Sequence, residues 1–189
     1  MDILKERVLK EGKVLGDNIL KVSNFLNHMV DPHLMHEIGK EFARIFAPVN
    51  PTKVLTVESS GIAMSVFAAL ELNVPCLVAK KYTSHNVSED FYSVDIFSHT
   101  KQTTYNVRVA CDYLQADDRV LIIDDFLANG KAVLGTIELL KESGASLVGI
   151  GICVEKSFQA GAAELEGLNL HSLVRVKSLE NGVITLCTE

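Results

Sequence analysis

From Lys53 onward, short apolar runs alternate with segments whose apolar residues recur every three or four positions. The runs at 54–57 (VLTV), 76–79 (CLVA), 120–123 (VLII), 147–154 (LVGIGICV) and 173–176 (LVRV) predict strands buried on both faces. Between them, residues 61–72 (GIAMSVFAALEL) and 130–143 (GKAVLGTIELLKES) have helical spacing and predict crossover helices. Strand and helix in alternation predict an α/β fold: a central, mostly parallel sheet flanked by helices. Ser143-Gly144-Ala145 marks a helix-to-strand passage.

Two regions break the alternation. Residues 91–110 (FYSVDIFSHTKQTTYNVRVA) show two period-2 segments around a polar stretch at 98–104, which predicts a long antiparallel hairpin. A polar tip of that length is a candidate lid. The first fifty residues predict an amphipathic helix, an interruption at Gly12 and Gly16, and a second helix over 31–46, with Asp31-Pro32 as N-cap and first helical residue. This segment and the tail at 183–187 (VITLC) read as additions to the α/β core.

Composition narrows the function classes. At 189 residues the chain fits one domain over its whole length, and 48% hydrophobic against 22% charged residues, with a mean hydropathy of +0.21, exclude a disordered chain. A net charge of -6 gives no footprint for nucleic acid. Charges recur every few residues at the N-terminus, which excludes a secretory leader there, and no run approaches the ~18 apolar residues of a membrane span. The expectation is a soluble, cytoplasmic protein. Cys76, Cys111, Cys153 and Cys187 lie in apolar surroundings without a CxxC and read as buried small hydrophobes. His33 and His36 read as a helix surface.

The chemistry concentrates in Val120-Leu121-Ile122-Ile123-Asp124-Asp125-Phe126-Leu127-Ala128-Asn129-Gly130-Lys131-Ala132. A buried strand carries two carboxylates at its end, and a small-residue loop then opens a helix. In open α/β sheets ligands bind outside the carboxyl ends of strands. The free N–H groups of a helix start suit a phosphate, and Ala128 and Gly130 let one approach the backbone. Adjacent carboxylates suit sugar hydroxyls beside it, so the segment reads as a site for a ribose 5-phosphate. Two Asp residues after a strand also occur as helix caps, turn formers or an acidic metal pocket, and the local pattern leaves those open.

This segment resembles the signature of the type I phosphoribosyltransferases: an apolar strand, two acids, two variable residues, then Ala-Thr-Gly and small or hydroxylated residues. It departs at Asn129, where Thr is usual, and at Lys131 and Ala132. Set against the family pattern, two hydroxyl donors to the 5-phosphate are absent, and the resemblance implies that the Asn129 amide, backbone N–H groups and the Lys131 charge would stand in for them. The Asp-Asp-Phe-Leu-Ala-Asn-Gly variant and the whole chain are similar to the branch of the family that takes xanthine. The resemblance implies transfer of the phosphoribosyl group of 5-phosphoribosyl 1-diphosphate (PRPP) to that base, with Mg²⁺ carried by the diphosphate rather than by a protein metal site. It implies a flexible hairpin lid over the centre, a small N-terminal hood built mainly from about 1–35 and the C-terminal tail, and a homodimer.

Site residues follow from the same resemblance. Asp124 and Asp125 would be catalytic, holding the ribose and its developing positive charge. Ala128, Asn129, Gly130, Lys131 and Ala132 would bind the 5-phosphate, and Ser59, Ser60, Gly61 and Lys81 the diphosphate. Lys156 would meet the 6-oxygen of the base, and Leu20 and Asn27 would place it from the hood, with an Asn27 N–H toward the 2-oxo group. Without the resemblance, residues 57–62 are an ordinary strand-to-helix turn, Lys80-Lys81 a solvated pair, Lys156 a snorkelling strand end and Asn27 a turn residue. Phe126 or Phe158 would stack on the base or belong to the core. The competing functions are a guanine or hypoxanthine enzyme of the same fold and a non-catalytic regulator that senses PRPP.

Overall fold

The computed structural model describes residues 1–16, 18–82, 90–98 and 103–188. In chain order, α1 (Asp2–Glu11) leads into a small hairpin, β1 (Lys13–Leu15) and β2 (Ile19–Lys21), then a π-helical turn at Ser23–Asn27 and α2 (Pro32–Phe46). There follow β3 (Lys53–Val57), α3 (Ile62–Leu72), β4 (Cys76–Tyr82) and the hairpin of β5 (Phe91–Ser98) and β6 (Thr103–Ala110). The chain continues through β7 (Arg119–Leu127), α4 (Lys131–Ser143), β8 (Ser146–Lys156), the turn α5 (Gly161–Glu164), β9 (Leu170–Ser178) and β10 (Thr185–Leu186).

β3 to β10 form one eight-stranded sheet in the order β10-β9-β8-β7-β3-β4-β6-β5. The five strands from β9 to β4 run parallel, while β10 and the β5–β6 hairpin extend the two sides antiparallel. Alternation sends Val54, Leu121 and Ile123 to the face covered by α2 and α3, and Leu55, Val57, Val120 and Ile122 to the face covered by α4 and the hairpin. α2 starts where the sequence places it, because the Asp31 carboxylate accepts the N–H groups of His33 and Leu34 and Pro32 needs no partner. Leu4, Val8, Leu20, Val22, Phe25 and Leu26 join the cluster under α2, so the N-terminal segment is packed into the sheet's own core.

Several boundaries differ from the sequence expectation. β4 runs past Ala79 through Lys80 and Lys81, because its end pairs antiparallel with β6 and backbone pairing needs no apolar side chain. β7 likewise carries Asp124 and Asp125 inside the strand, and Lys156 is the last residue of β8. The Gly12/Gly16 interruption is the β1–β2 hairpin. Residues 99–102, the centre of the expected lid, lie outside the described residues. The four cysteines are free, but Cys153 alone is buried; Cys76, Cys111 and Cys187 are half-buried at element ends. His36 does lie on the helix surface, 3.0 Å from Glu71. No helix among the described residues is long and apolar enough to cross a membrane.

Candidate active site

From β3 the chain steps through α3 to β4 on one side, and later returns to β7 on the other side of β3 and steps on to β8. That reversal opens a crevice at the carboxyl ends of β3 and β7. Into it come Asp124 and Asp125 from β7 and the 58–61 loop from β3. Burial and the adjacent Asp125 charge push the Asp124 carboxyl well above the usual carboxylate range, against the opposing pull of Lys81. Asp124 Oδ1 accepts the Asp125 N–H at 2.9 Å. A Cβ on Gly61 would collide with Thr56 Oγ1 and lie 3.2 Å from Asp124 Oδ1, so glycine is what lets this loop run against the carboxylate.

The 128–132 loop is held from outside its own segment. The Gly161 N–H donates to the Ala128 carbonyl at 2.9 Å, and a Cβ on Gly161 would stand 2.5 Å from that oxygen and 2.9 Å from Gly130 N. Asn129 Oδ1 turns back to accept the Lys131 N–H at 3.2 Å, while the Lys131 side chain is exposed. One helix-start N–H is therefore used inside the loop, and Ala132 and Val133 follow it in the first turn of α4, where N–H groups have no intrahelical partner.

Cations border the same crevice. Lys81 donates its backbone N–H to the Glu58 carboxylate, and its Nζ stands 4.7 Å from the centre of the Tyr105 ring in β6. Burial, and after it the Asp124 charge, raises the phenol pKa of Tyr105, which lies opposite Ile96 in the hairpin. On the side of the N-terminal segment, Lys156 Nζ donates to the Asn18 carbonyl at 2.8 Å and lies 5.8 Å from the centre of the Phe126 ring. Burial lowers its pKa. Asn27 donates its side-chain N–H to Asp125 Oδ2 at 3.1 Å. An open cleft of about 810 Å³ lies beside Asn27 and Ser60, lined also by Lys13, Lys21, Asn24 and His28 among others.

The structure thus brings Asp124, Asp125, Asn27, Lys81 and Ser59 to Gly61 to one sheet edge, with the 128–132 loop and Lys156 on the neighbouring strand ends. It does not bring Leu20 to the cleft wall. Leu20 is 5% exposed and pairs with Val14 on the inward face of the hairpin, because alternation sends Ile19 and Lys21 outward. Phe158 is exposed and Phe126 packs partly against the core. Sequence reasoning missed Gly161, Tyr105 and the Asn18 carbonyl, which carry no motif, and Glu155. Burial raises the Glu155 carboxyl, but hydrogen bonds from Ser157, Ser172 (2.6 Å) and Arg175 (3.2 Å) outweigh it and keep its pKa low.

The site and sheet order define a class that comparison with known proteins also reports. A family model described as phosphoribosyl transferase domain matches residues 31–166, and the chain belongs to that family. It is 50% identical over 187 residues to the xanthine phosphoribosyltransferase of Bacillus mycoides (strain KBAB4), covering 98% of this chain and 95% of the relative. It is 51% identical over 184 residues to that of Ruminiclostridium cellulolyticum, covering 96% and 97%, and 49% identical over 187 residues to that of Pseudomonas entomophila, covering 98% of each. Among solved structures, APRTase from Giardia lamblia complexed with 9-deazaadenine matches with a TM-score of 0.77 at 22% identity, over 91% of this chain and 97% of that one. Adenine phosphoribosyltransferase from Rhodothermus marinus gives 0.75 at 21%, over 93% and 100%. These likenesses carry the fold, which is that of the type I phosphoribosyltransferases.

Proposed function

We propose that this protein transfers the 5-phosphoribosyl group of PRPP to N9 of xanthine, giving xanthosine 5-phosphate and diphosphate. The observation that carries the reading is the near-complete alignment, at about half identity, with xanthine phosphoribosyltransferases. In the reaction the bond from the anomeric carbon to diphosphate breaks and the bond to N9 forms, with the N9 proton going to solvent. Asp124 and Asp125 hold the ribose hydroxyls and face the positive charge that develops at the ring, which favours the ionised form of both. The 128–132 loop fixes the 5-phosphate, the Ser59 to Gly61 loop and Lys81 take the leaving diphosphate, and Lys156 donates to the 6-oxygen. Catalysis comes from orientation and leaving-group neutralisation, without a covalent nucleophile.

The site fits Mg²⁺ in the form its chemistry prefers. The ion would be carried by the diphosphate, whose oxygens are the hard donors it prefers, with Asp124 and Asp125 beside it on the ribose. When bound, the ion neutralises charge on the leaving diphosphate. A cytoplasmic homodimer completes the proposal.

The test is turnover of purified protein with Mg²⁺ and PRPP, offering xanthine, guanine, hypoxanthine and adenine separately. Xanthine is expected to give the highest kcat/KM. A preference for guanine or hypoxanthine would keep the reaction and discard the base assignment. Tight PRPP binding with no turnover on any base would establish the regulator instead.

A further inference from the structure

Asn27 and Asp125 are 98 residues apart in sequence, yet the hood amide donates directly to the carboxylate at 3.1 Å. The backbone that presents Asn27 has little freedom of its own. Its turn is anchored by buried Phe25 and Leu26, and the Arg7 guanidinium lies 4.9 Å from the Phe25 ring centre. Arg7 also donates to Asp31, the N-cap of α2, at 2.8 Å, and Asn24 ties the same turn to Glu11 in α1 at 2.9 Å. What remains adjustable is the side-chain amide, whose two ends have nearly the same shape and opposite hydrogen-bonding character.

An ionised carboxylate only accepts, so Asn27 meets Asp125 through its NH₂ end; the flipped amide would set two acceptor oxygens against each other. With one N–H committed, the second N–H and the carbonyl oxygen are presented to the cleft in one fixed order. A 2-oxo purine needs a donor at that position and a 2-amino purine an acceptor. An amide free to flip would serve both, and a locked one serves one of them.

We infer that Asp125 is a positioning residue for base specificity: by holding the Asn27 amide in one orientation, it makes the hood select a 2-oxo over a 2-amino purine, in addition to its place beside the sugar. Asn27 meets Oδ2, and Oδ1 is a separate acceptor for a sugar hydroxyl, so the two uses are compatible. This inference rests on the proposed reaction and deepens it.

The readout is the ratio of kcat/KM for xanthine to that for guanine, which a loss of catalysis common to both bases leaves unchanged. Asp125→Asn, which can donate as well as accept, is expected to lower that ratio about 10-fold, the size of one hydrogen bond made wrong. Asp124→Asn, which removes the neighbouring charge without touching Asn27, should slow both bases and keep the ratio within about 2-fold. Asn27→Ala should lower the ratio as Asp125→Asn does, and the double variant no further. Where turnover of Asp125→Asn is too slow to follow, calorimetric Kd values for xanthosine and guanosine 5-phosphates supply the same ratio. An unchanged ratio in Asp125→Asn overturns the inference, as does an equal loss in Asp124→Asn or a wild-type enzyme that does not prefer xanthine over guanine. Absence of turnover by the wild type with every base is a different result and removes the proposed reaction itself.

Discussion

At the amino ends of β3 and β7, Lys53 Nζ stands 2.7 Å from Asp118 Oδ2, with the two side chains only 15% and 12% exposed. Asp118 also accepts from Thr52 Oγ1 and the Gln115 N–H, each at 2.9 Å, and Arg119 donates to the carbonyls of Val49 and Asn50. At the carboxyl ends of the same strands, two like-charged carboxylates are adjacent, and Thr56 Oγ1 is buried without a hydrogen-bond partner among the described residues. Burial pushes Asp118 up, but Lys53, Gln115 and Thr52 outweigh it and its pKa is lowered; at Asp124 burial and Asp125 act together and raise it. One end of the strand pair joins opposite charges, and the other sets like charges side by side, with the Asn27 amide on Asp125. Stability and function are therefore separable along a single strand pair, and substitutions at the two ends should move different observables.

The largest effect should come from Asp124→Asn with Asp125→Asn. Turnover is expected to fall by about 10³-fold or more, corresponding to ~4 kcal/mol of transition-state stabilisation. Thermal melting should show no loss of stability; a collapse of the fold would break the comparison. Next comes Asp118→Ala, which strands the enclosed Lys53 and should cost about 3 kcal/mol in urea unfolding, with kcat per folded molecule unchanged. Because the folded pKa of Asp118 is depressed, its contribution is fully present above the ordinary carboxylate value and is lost as pH falls through the lowered one. Urea midpoints for Asp118→Ala and wild type should accordingly converge in acid. Smaller again is Gly161→Ala, whose Cβ presses on the Ala128 carbonyl and Gly130 N. It should raise KM for PRPP about 10-fold, or ~1.4 kcal/mol, with little effect on the relative use of different bases.

Much of the stabilising half was legible in the sequence. Apolar runs, interrupted in β3 by Thr56, gave away β3 and β7, and Asp31-Pro32 marked the start of α2, because burial and capping are local demands. The Asp-Asp pair near the end of β7 and the loop that follows it at 128–132 were legible as a strand end opening a helix for the same reason. What was hidden depends on contacts between distant segments. Lys80 and Lys81 read as the end of a strand until β6 supplies a pairing partner. The three-residue strands β1 and β2 are too short to show a period, so the inward turn of Leu20 could not be read. Gly161 supports the 128–132 loop from 30 residues away with no side chain to announce it, and Asn27 reaches Asp125 across the fold.

The smallest expected effect bears most directly on the central claim that the carboxyl edge is arranged for a ligand at the expense of the free protein. It is the stability of Asp124→Asn measured by urea unfolding from acid to neutral pH, with turnover followed on the same samples. A raised folded pKa means that the folded protein keeps a proton the unfolded chain has released. Stability at this position therefore falls as pH rises from the ordinary carboxylate value through the raised one. Asp124→Asn removes that fall, so it should match the wild type in acid, exceed it at neutral pH, and lose most of its activity throughout. A variant less stable than the wild type at neutral pH, losing activity only in proportion to its unfolded fraction, would show Asp124 to be a structural group and contradict the account.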